Sequence, residues 1–226
     1  MKVKFSRSHI YYIAHMGNDL TVVNAARVSF KKHHDELDAS DEKLIAFLAA
    51  GKHFSPFTHP QLQLRVKAPL FVARQMWKSH IGISGGDAGY MAWNEVSRRY
   101  VSDEPEFYLP GDWRLRADNV KQGSSEEIMS SSDEIYMEYE SSIADGLAFY
   151  SLSLERGMCP EQARIILPQS MMTEWYWTGS LAAWVRIVGL RADKHAQKES
   201  QDIAELIKGV LEELFPISCK YLFTNL

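Results

Sequence analysis

Cysteine is scarce: the 226 residues hold only Cys159 and Cys219, sixty positions apart. No CxxC pair exists, which excludes a zinc ribbon or dithiol redox motif on spacing. So few thiols read as a reduced, intracellular protein, with the cytoplasm (a host's, if the chain is virally encoded) as the expected location. Basic charge is also in short supply, 25 Lys and Arg against 29 Asp and Glu, for a formal net charge of −4. Generic nucleic-acid binding needs a basic excess, so nucleic acid is not an expected partner. Long apolar runs are missing. No window approaches 18 apolar residues, so neither a membrane-spanning helix nor a membrane partner is expected. The N-terminal MKVKFSRSHIYYIAHMGNDL is interrupted by His and Asn too early to be a signal peptide. There is no internal repeat and no long low-complexity linker.

What is present is an ordinary globular composition, 46% hydrophobic and 24% charged. A chain of this length buries enough surface to fold without disulfide or metal, and residues 1–226 read as a single domain. Residues 2–15 read as one or two short strands. Asn18 and Asp19 cap a helix through Leu20, Val23, Ala26 and Val28, and a second runs from Ser40 to Ala50, closed by Gly51. HFSPFTH (53–59) reads as a loop, and residues 61–67 alternate polar and apolar as a half-buried strand does. Pro69 suits the first turn of a helix from Leu70 to about His80. Ile128, Ile135, Tyr139, Ile143 and Leu147 recur at intervals of seven and four, which predicts a long helix over 125–156 with a break near Ser130–Ser132. Pro160 opens a short helix that Pro168 ends. Residues 173–178 look strand-like, Ser180 caps a helix to Arg191, and a last helix spans about Lys194 to Phe215. The class is α+β: helices packed on a small, mostly antiparallel sheet.

Arginine placement is the informative feature. Arg74, Arg164 and Arg186 sit in apolar segments, Arg98 and Arg99 are adjacent, and Arg191 ends a helix. In an acidic chain such a set suggests anionic ligands, because the guanidinium fork matches phosphate; the other reading is that each pairs with a carboxylate or snorkels to the surface. The Gly-rich 82–90 is neither GxGxxG nor a Walker loop and reads as a surface loop. His33-His34, His53 with His59, and Asp193 with His195 complete no familiar ligand spacing, so no metal is expected. Trp175, Tyr176 and Trp177 read as core or subunit interface.

From VKAPLFVARQ (66–75) to NEVSRRY (94–100) the chain resembles the flavin-dependent thymidylate synthases. That family's signature is Arg-His-Arg, seven residues and Ser, ending in Asn-Glu-x-Ser-x-Arg-Tyr, and the ending is intact here. MGNDL (16–20), AARVSF (25–30), HFSPFTH (53–59), ARIILP (163–168) and LRADKHAQ (190–197) follow in family order, so the likeness covers about residues 12–215. Two departures stand out. Lys78-Ser79-His80 replaces the triplet, and sixteen residues rather than seven precede Ser97. Ser180, Ala182 and Arg186 also stand where the family often has Asn, Arg and Asn.

The resemblance implies reductive methylation of dUMP to dTMP by a homotetramer. 5,10-methylenetetrahydrofolate supplies the carbon, NADPH reduces FAD, and the reduced flavin delivers the hydride. It implies Gln75, Glu95, Val96, Ser97, Arg98, Arg99, Arg164 and Arg191 around dUMP, with Arg191 as the catalytic cation. Ser55, Lys78, Ser79, His80, Glu95, Ser180 and Arg186 are the FAD candidates, and His53 faces the folate or NADPH side. The altered triplet and longer loop leave two other outcomes open: a 5-hydroxymethyl product (or action on dCMP), or a nucleotide- and flavin-binding homologue with impaired catalysis.

Overall fold

The computed structural model describes residues 3–79, 92–101, 103–118 and 123–225. His80 and the Gly-rich 82–90 lie outside the described residues. The elements are β1 (Lys4–Ser6), β2 (His9–Met16), α1 (Asp19–Arg27), α2 (Ala39–Ala50), β3 (Gln61–Pro69), α3 (Leu70–Lys78), β4 (Trp93–Glu95), β5 (Glu106–Tyr108), β6 (Arg114–Arg116), β7 (Ser124–Ile128), α4 (Ser132–Glu155), α5 (Pro160–Ala163), β8 (Met172–Ser180), α6 (Leu181–Arg191), α7 (Lys198–Leu214) and α8 (Pro216–Thr224). The α+β class with a small, mostly antiparallel sheet is as the sequence implies.

The central sheet is antiparallel, in the order β2-β3-β8-β4. Its helix-covered face follows from strand alternation: Leu62, Leu64, Val66 and Ala68 on β3 are fully buried, as is Trp177 opposite Leu64 on β8. Trp93 stacks on Trp175 at 4.4 Å, and Trp184 of α6 meets Trp177 edge-on at 4.6 Å. The tryptophan stripe is therefore core, with only Tyr176 exposed. A second, smaller core gathers Val3, Phe107, Leu167 and Met171 under Ile143, Leu147 and Tyr150 of α4.

Helix boundaries follow capping chemistry. Asn18 and Thr21 form a capping box on α1, Asp38 and Asp41 form one on α2, and the Ser180 hydroxyl accepts the Ala183 N–H on α6. Pro69 ends β3 and caps α3 from outside, since it has no N–H to give the ladder beyond it.

Three expectations need correction. Residues 124–128 are a strand rather than the start of α4: they pair with β6, and Ile128 lies opposite Arg114, half-exposed. The last long helix begins at Lys198, because residues 192–197 form turns that bring Gln197 to the α7 N-cap. Its apolar stripe is Ile203, Ile207 and Leu211, and Leu206 points outward. Nor is that helix the last, since α8 follows it over Pro216–Thr224. α8 buries Cys219 and Leu222 in the main core.

Candidate active site

α3 carries two sets of side chains. Toward its C-terminal end Gln75 faces a cavity of about 720 Å³ that also takes in Arg191, Phe71, Tyr108, Trp113 and Glu199. On another side Arg74 and Lys78 line a hollow of about 350 Å³ with Trp77, Trp93 and Glu95. A third concavity, about 360 Å³, is lined by Glu95, Val96, Arg98, Glu161, Arg164 and Thr173.

Arg191 ends α6, half-buried against the C-terminus of α3. It donates from Nη2 to the Gln75 carbonyl at 2.8 Å and from Nε to Ser79 Oγ at 2.7 Å. The last carbonyls of a helix have no internal partner, so a cation there is held by orphan acceptors as well as by the macrodipole. Burial holds this guanidinium below the usual arginine range. Arg186, one turn earlier and exposed, donates to the Ser79 carbonyl at 3.3 Å.

The signature residues follow β4. Glu95 accepts from Thr173 Oγ1 at 2.7 Å and from Trp93 Nε1 at 3.2 Å, while the Val96 N–H bonds the Glu174 carbonyl at 2.9 Å. Arg98, only 8% exposed, is committed to Asp103, whose carboxylate lies at 3.1 Å. Arg99 is exposed. It donates to Ser97 Oγ at 3.2 Å and reaches Glu161 at 3.8 Å. Arg164 is exposed at the same concavity, beside Ile165 and Ile166, which are exposed too. The apolar letters around Arg164, Arg186 and Arg74 therefore do not bury them: all three guanidinium groups reach solvent, and of the arginines read as candidates it is Arg98 that is buried with a carboxylate.

The flavin candidates divide by availability. Lys78 and Arg186 are exposed cations beside Ser79, a donor set that fits an anionic linker such as a pyrophosphate. The Ser79 hydroxyl is buried against Arg191, and the Ser180 hydroxyl is taken by the α6 cap. Ser55 is exposed and opens a turn whose Pro56 and Phe57 are buried; just beyond it the Pro60 carbonyl accepts the Leu181 N–H at 3.0 Å, next to Ser180. His53, exposed, stacks on Phe47 at 5.8 Å. Among the described residues His34, Asp38 and Asp41 bring possible ligand atoms within 4.8 Å, but Arg27 holds Asp41 at 2.6 Å and Asp38 caps α2.

Sequence reasoning missed the polar chain behind Gln75. Its amide donates to Gln197 and accepts from Ser200 Oγ at 3.1 Å; Gln197 donates to Glu199 at 2.9 Å, and Arg114 donates to Glu199 at 2.8 Å. The run AQKES offers a signal, an amide and a carboxylate two residues apart at a helix start, but an acid there also reads as a plain dipole partner.

A family model described as thymidylate synthase complementing protein matches residues 12–217. A flavin-dependent thymidylate synthase of Thermosipho melanesiensis is 37% identical over 203 residues, 89% of this chain and 84% of that protein. One from Treponema denticola is 34% identical, covering 94% of this chain and 78% of its own. The crystal structure of a UMP/dUMP methylase from Streptomyces cacaoi bound with 5-Br dUMP superposes with a TM-score of 0.84 at 26% identity, over 99% of this chain and 97% of that one. With the family model spanning nearly the whole chain, this protein belongs to the thymidylate synthase complementing protein family.

Proposed function

We infer that this chain is a flavin-dependent thymidylate synthase. It methylates dUMP to dTMP, taking the carbon from 5,10-methylenetetrahydrofolate and electrons from NADPH through FAD. Relatives of that name at 34–37% identity support the reading, as does the neighbour named a UMP/dUMP methylase. The observation that carries the site assignment is the fixed pair Gln75–Arg191 at the cavity of about 720 Å³. A cation locked by two hydrogen bonds is preorganised to stabilise charge that develops on a uracil ring. Arg191 is the proposed catalytic residue, set at the N3/O2 edge of the base.

Arg99 and Arg164, both exposed and both near Glu161, supply the paired guanidinium groups that a phosphate dianion selects. Ser97 orients Arg99, and Glu95 and Val96 complete the nucleotide contacts; Arg98 supports them from beneath. Lys78 and Arg186 hold the FAD pyrophosphate, with Ser55, Ser79, His80, Glu95 and Ser180 as the remaining lining and His53 on the folate or NADPH side. FAD supplies the two-electron reduction, and the chain's own residues bind, orient and polarise.

Gln75 and Arg191 open into one cavity, while Glu95, Val96, Arg98 and Arg164 open into another. A nucleotide that needs both sets is met by residues of two subunits, which supports the homotetramer. Mass spectrometry of the product from dUMP, methylenetetrahydrofolate, NADPH and FAD tests the reading. dTMP is expected; 5-hydroxymethyl-dUMP would move the function to the hydroxymethyl alternative, and no turnover with dUMP bound would point to the impaired homologue.

A further inference from the structure

Glu199 is the second residue of α7 and only 7% exposed. One carboxylate oxygen accepts from Arg114 at 2.8 Å and the other from the Gln197 side-chain amide at 2.9 Å. Burial pushes this carboxyl up, but the hydrogen bonds and charge of Arg114 and the Gln197 bond outweigh it, so it stays below the usual carboxylate range and ionised near neutrality.

An ionised carboxylate can only accept, whereas a glutamine amide both donates and accepts from opposite sides. Glu199 therefore dictates which way round Gln197 stands. The NH2 of Gln197 must face Glu199, so its oxygen must face Gln75. Gln75 in turn must offer its NH2 to Gln197 and its oxygen to Ser200. A group in the cavity then meets one fixed arrangement of donor and acceptor on Gln75.

We propose that Glu199 is a positioning residue that sets, through Gln197, the amide orientation of Gln75 and hence the affinity for the pyrimidine base. The proposal rests on the reading that this cavity binds dUMP. Arg114 has the complementary part. It reaches from β6 of the β6–β7 hairpin, with its Nε on Ser124 Oγ at 2.7 Å, and neutralises a carboxylate that would otherwise be buried alone.

The test is a double-mutant cycle on dUMP affinity, measured by titration calorimetry on the full chain with FAD present. Glu199→Gln keeps the shape but removes the obligatory acceptor, and is expected to weaken dUMP about tenfold, the size of one net hydrogen bond. In a Gln75→Ala background the same change is expected to have no effect, because its route to the base is gone. Turnover should show a raised KM with kcat close to unchanged. Should Glu199→Gln unfold the protein by stranding Arg114, Gln197→Leu cuts the relay with the ion pair intact and is expected to give the same loss. Additive losses, or an unchanged dUMP affinity in both variants, would overturn the relay while leaving the thymidylate synthase reading intact. Failure of the wild-type protein to bind dUMP at all would overturn both.

Discussion

Arg191 donates to the hydroxyl of Ser79, which itself donates to the same Gln75 carbonyl that Arg191 reaches. The arginine, the helix end and the site glutamine are thus one hydrogen-bonded unit. Arg191→Ala removes the preorganised charge and should lower kcat/KM for dUMP by about 10²–10³-fold. Arg191→Lys keeps the charge but loses the fork that holds Ser79 and Gln75 together, so it should recover only a small part. Steady-state kinetics on both variants check this; full activity in Arg191→Lys would show that charge alone suffices.

No cysteine should be needed. Burial, with Asp19 and Glu212 nearby, pushes the Cys219 thiol up to about 12, so essentially no thiolate exists near neutrality. Cys159 is exposed before α5 and lines none of the three concavities. Ser97 lies in the signature, but among the described residues its hydroxyl accepts from the backbone N–H and Nε of Arg99. The double change Cys159→Ala, Cys219→Ala should keep most activity and cost about 1 kcal/mol of stability from the buried site. Ser97→Ala should raise the KM for dUMP without abolishing turnover. Inactivation of the cysteine variant, in protein that still binds FAD, would require a thiolate mechanism.

Much of this arrangement is legible in the sequence where the determinants are local. Asn18 and Ser180 announce their caps, and the alternation over 61–67 marks the strand whose inner face is Leu62, Leu64 and Val66. The β6–β7 pairing is not legible. Ile128 falls seven residues before Ile135, which satisfies a helical count, whereas what decides it is the long-range partner Arg114. Arg164 shows the same limit. Its flanking isoleucines suggest burial, yet they lie in an exposed turn of 3-10 helix after α5, where two adjacent apolar residues cannot both face inward. At the site, chemistry that resides in single residues, such as Arg191, could be named in advance. The relay through Gln197 and Glu199 depends on which side chains the turn at 192–197 brings beside α3, and no spacing rule encodes that.

Asp19 ties the two ends of the chain together. Its carboxylate accepts the N–H of Ile217 at 2.9 Å and of Ser218 at 2.8 Å, satisfying the first turn of α8, and it is 3% exposed. Asp19→Asn leaves the shape intact but turns an NH2 toward donors. Both Asp19→Asn and Asp19→Ala should lower unfolding free energy by about 2–3 kcal/mol, since buried N–H groups lose their acceptor. Urea denaturation at neutral pH measures it, and a change within error would mean that water replaces the carboxylate.

Acid stability should depend on Glu106. Partial burial pushes its carboxyl up, but hydrogen bonds and charge from Lys4 and Lys67, at 2.6 and 2.5 Å, hold it at about 2. A carboxyl depressed in the folded state contributes stability above its unfolded value of 4.5, and that contribution is lost as pH falls from there toward 2. Lys67→Met should flatten this part of the stability–pH curve and raise the Glu106 pKa, which NMR titration of the side-chain carboxyl would follow. An unchanged curve would place the acid-labile contact elsewhere.

Flavin binding should survive the loss of the Arg-His-Arg triplet, but with a mark of its replacement. The purified chain is expected to be yellow, or to become so on adding FAD. Lys78 presents a compact ammonium rather than a bidentate fork, and both it and Arg186 are exposed, so their hold on a pyrophosphate is open to screening. FAD affinity should therefore fall steeply between low and physiological salt. Arg186→Ala should weaken FAD by about tenfold, a typical loss for one charge-assisted hydrogen bond, and should flatten the salt dependence. Arg186→Ala also removes the bond to the Ser79 carbonyl, so dUMP affinity must be measured alongside, in saturating FAD. Parallel losses of both ligands would mean that Arg186 acts by holding Ser79 in place, whereas a loss confined to FAD assigns its charge to the cofactor. Flavin fluorescence quenching across a salt series separates the two outcomes.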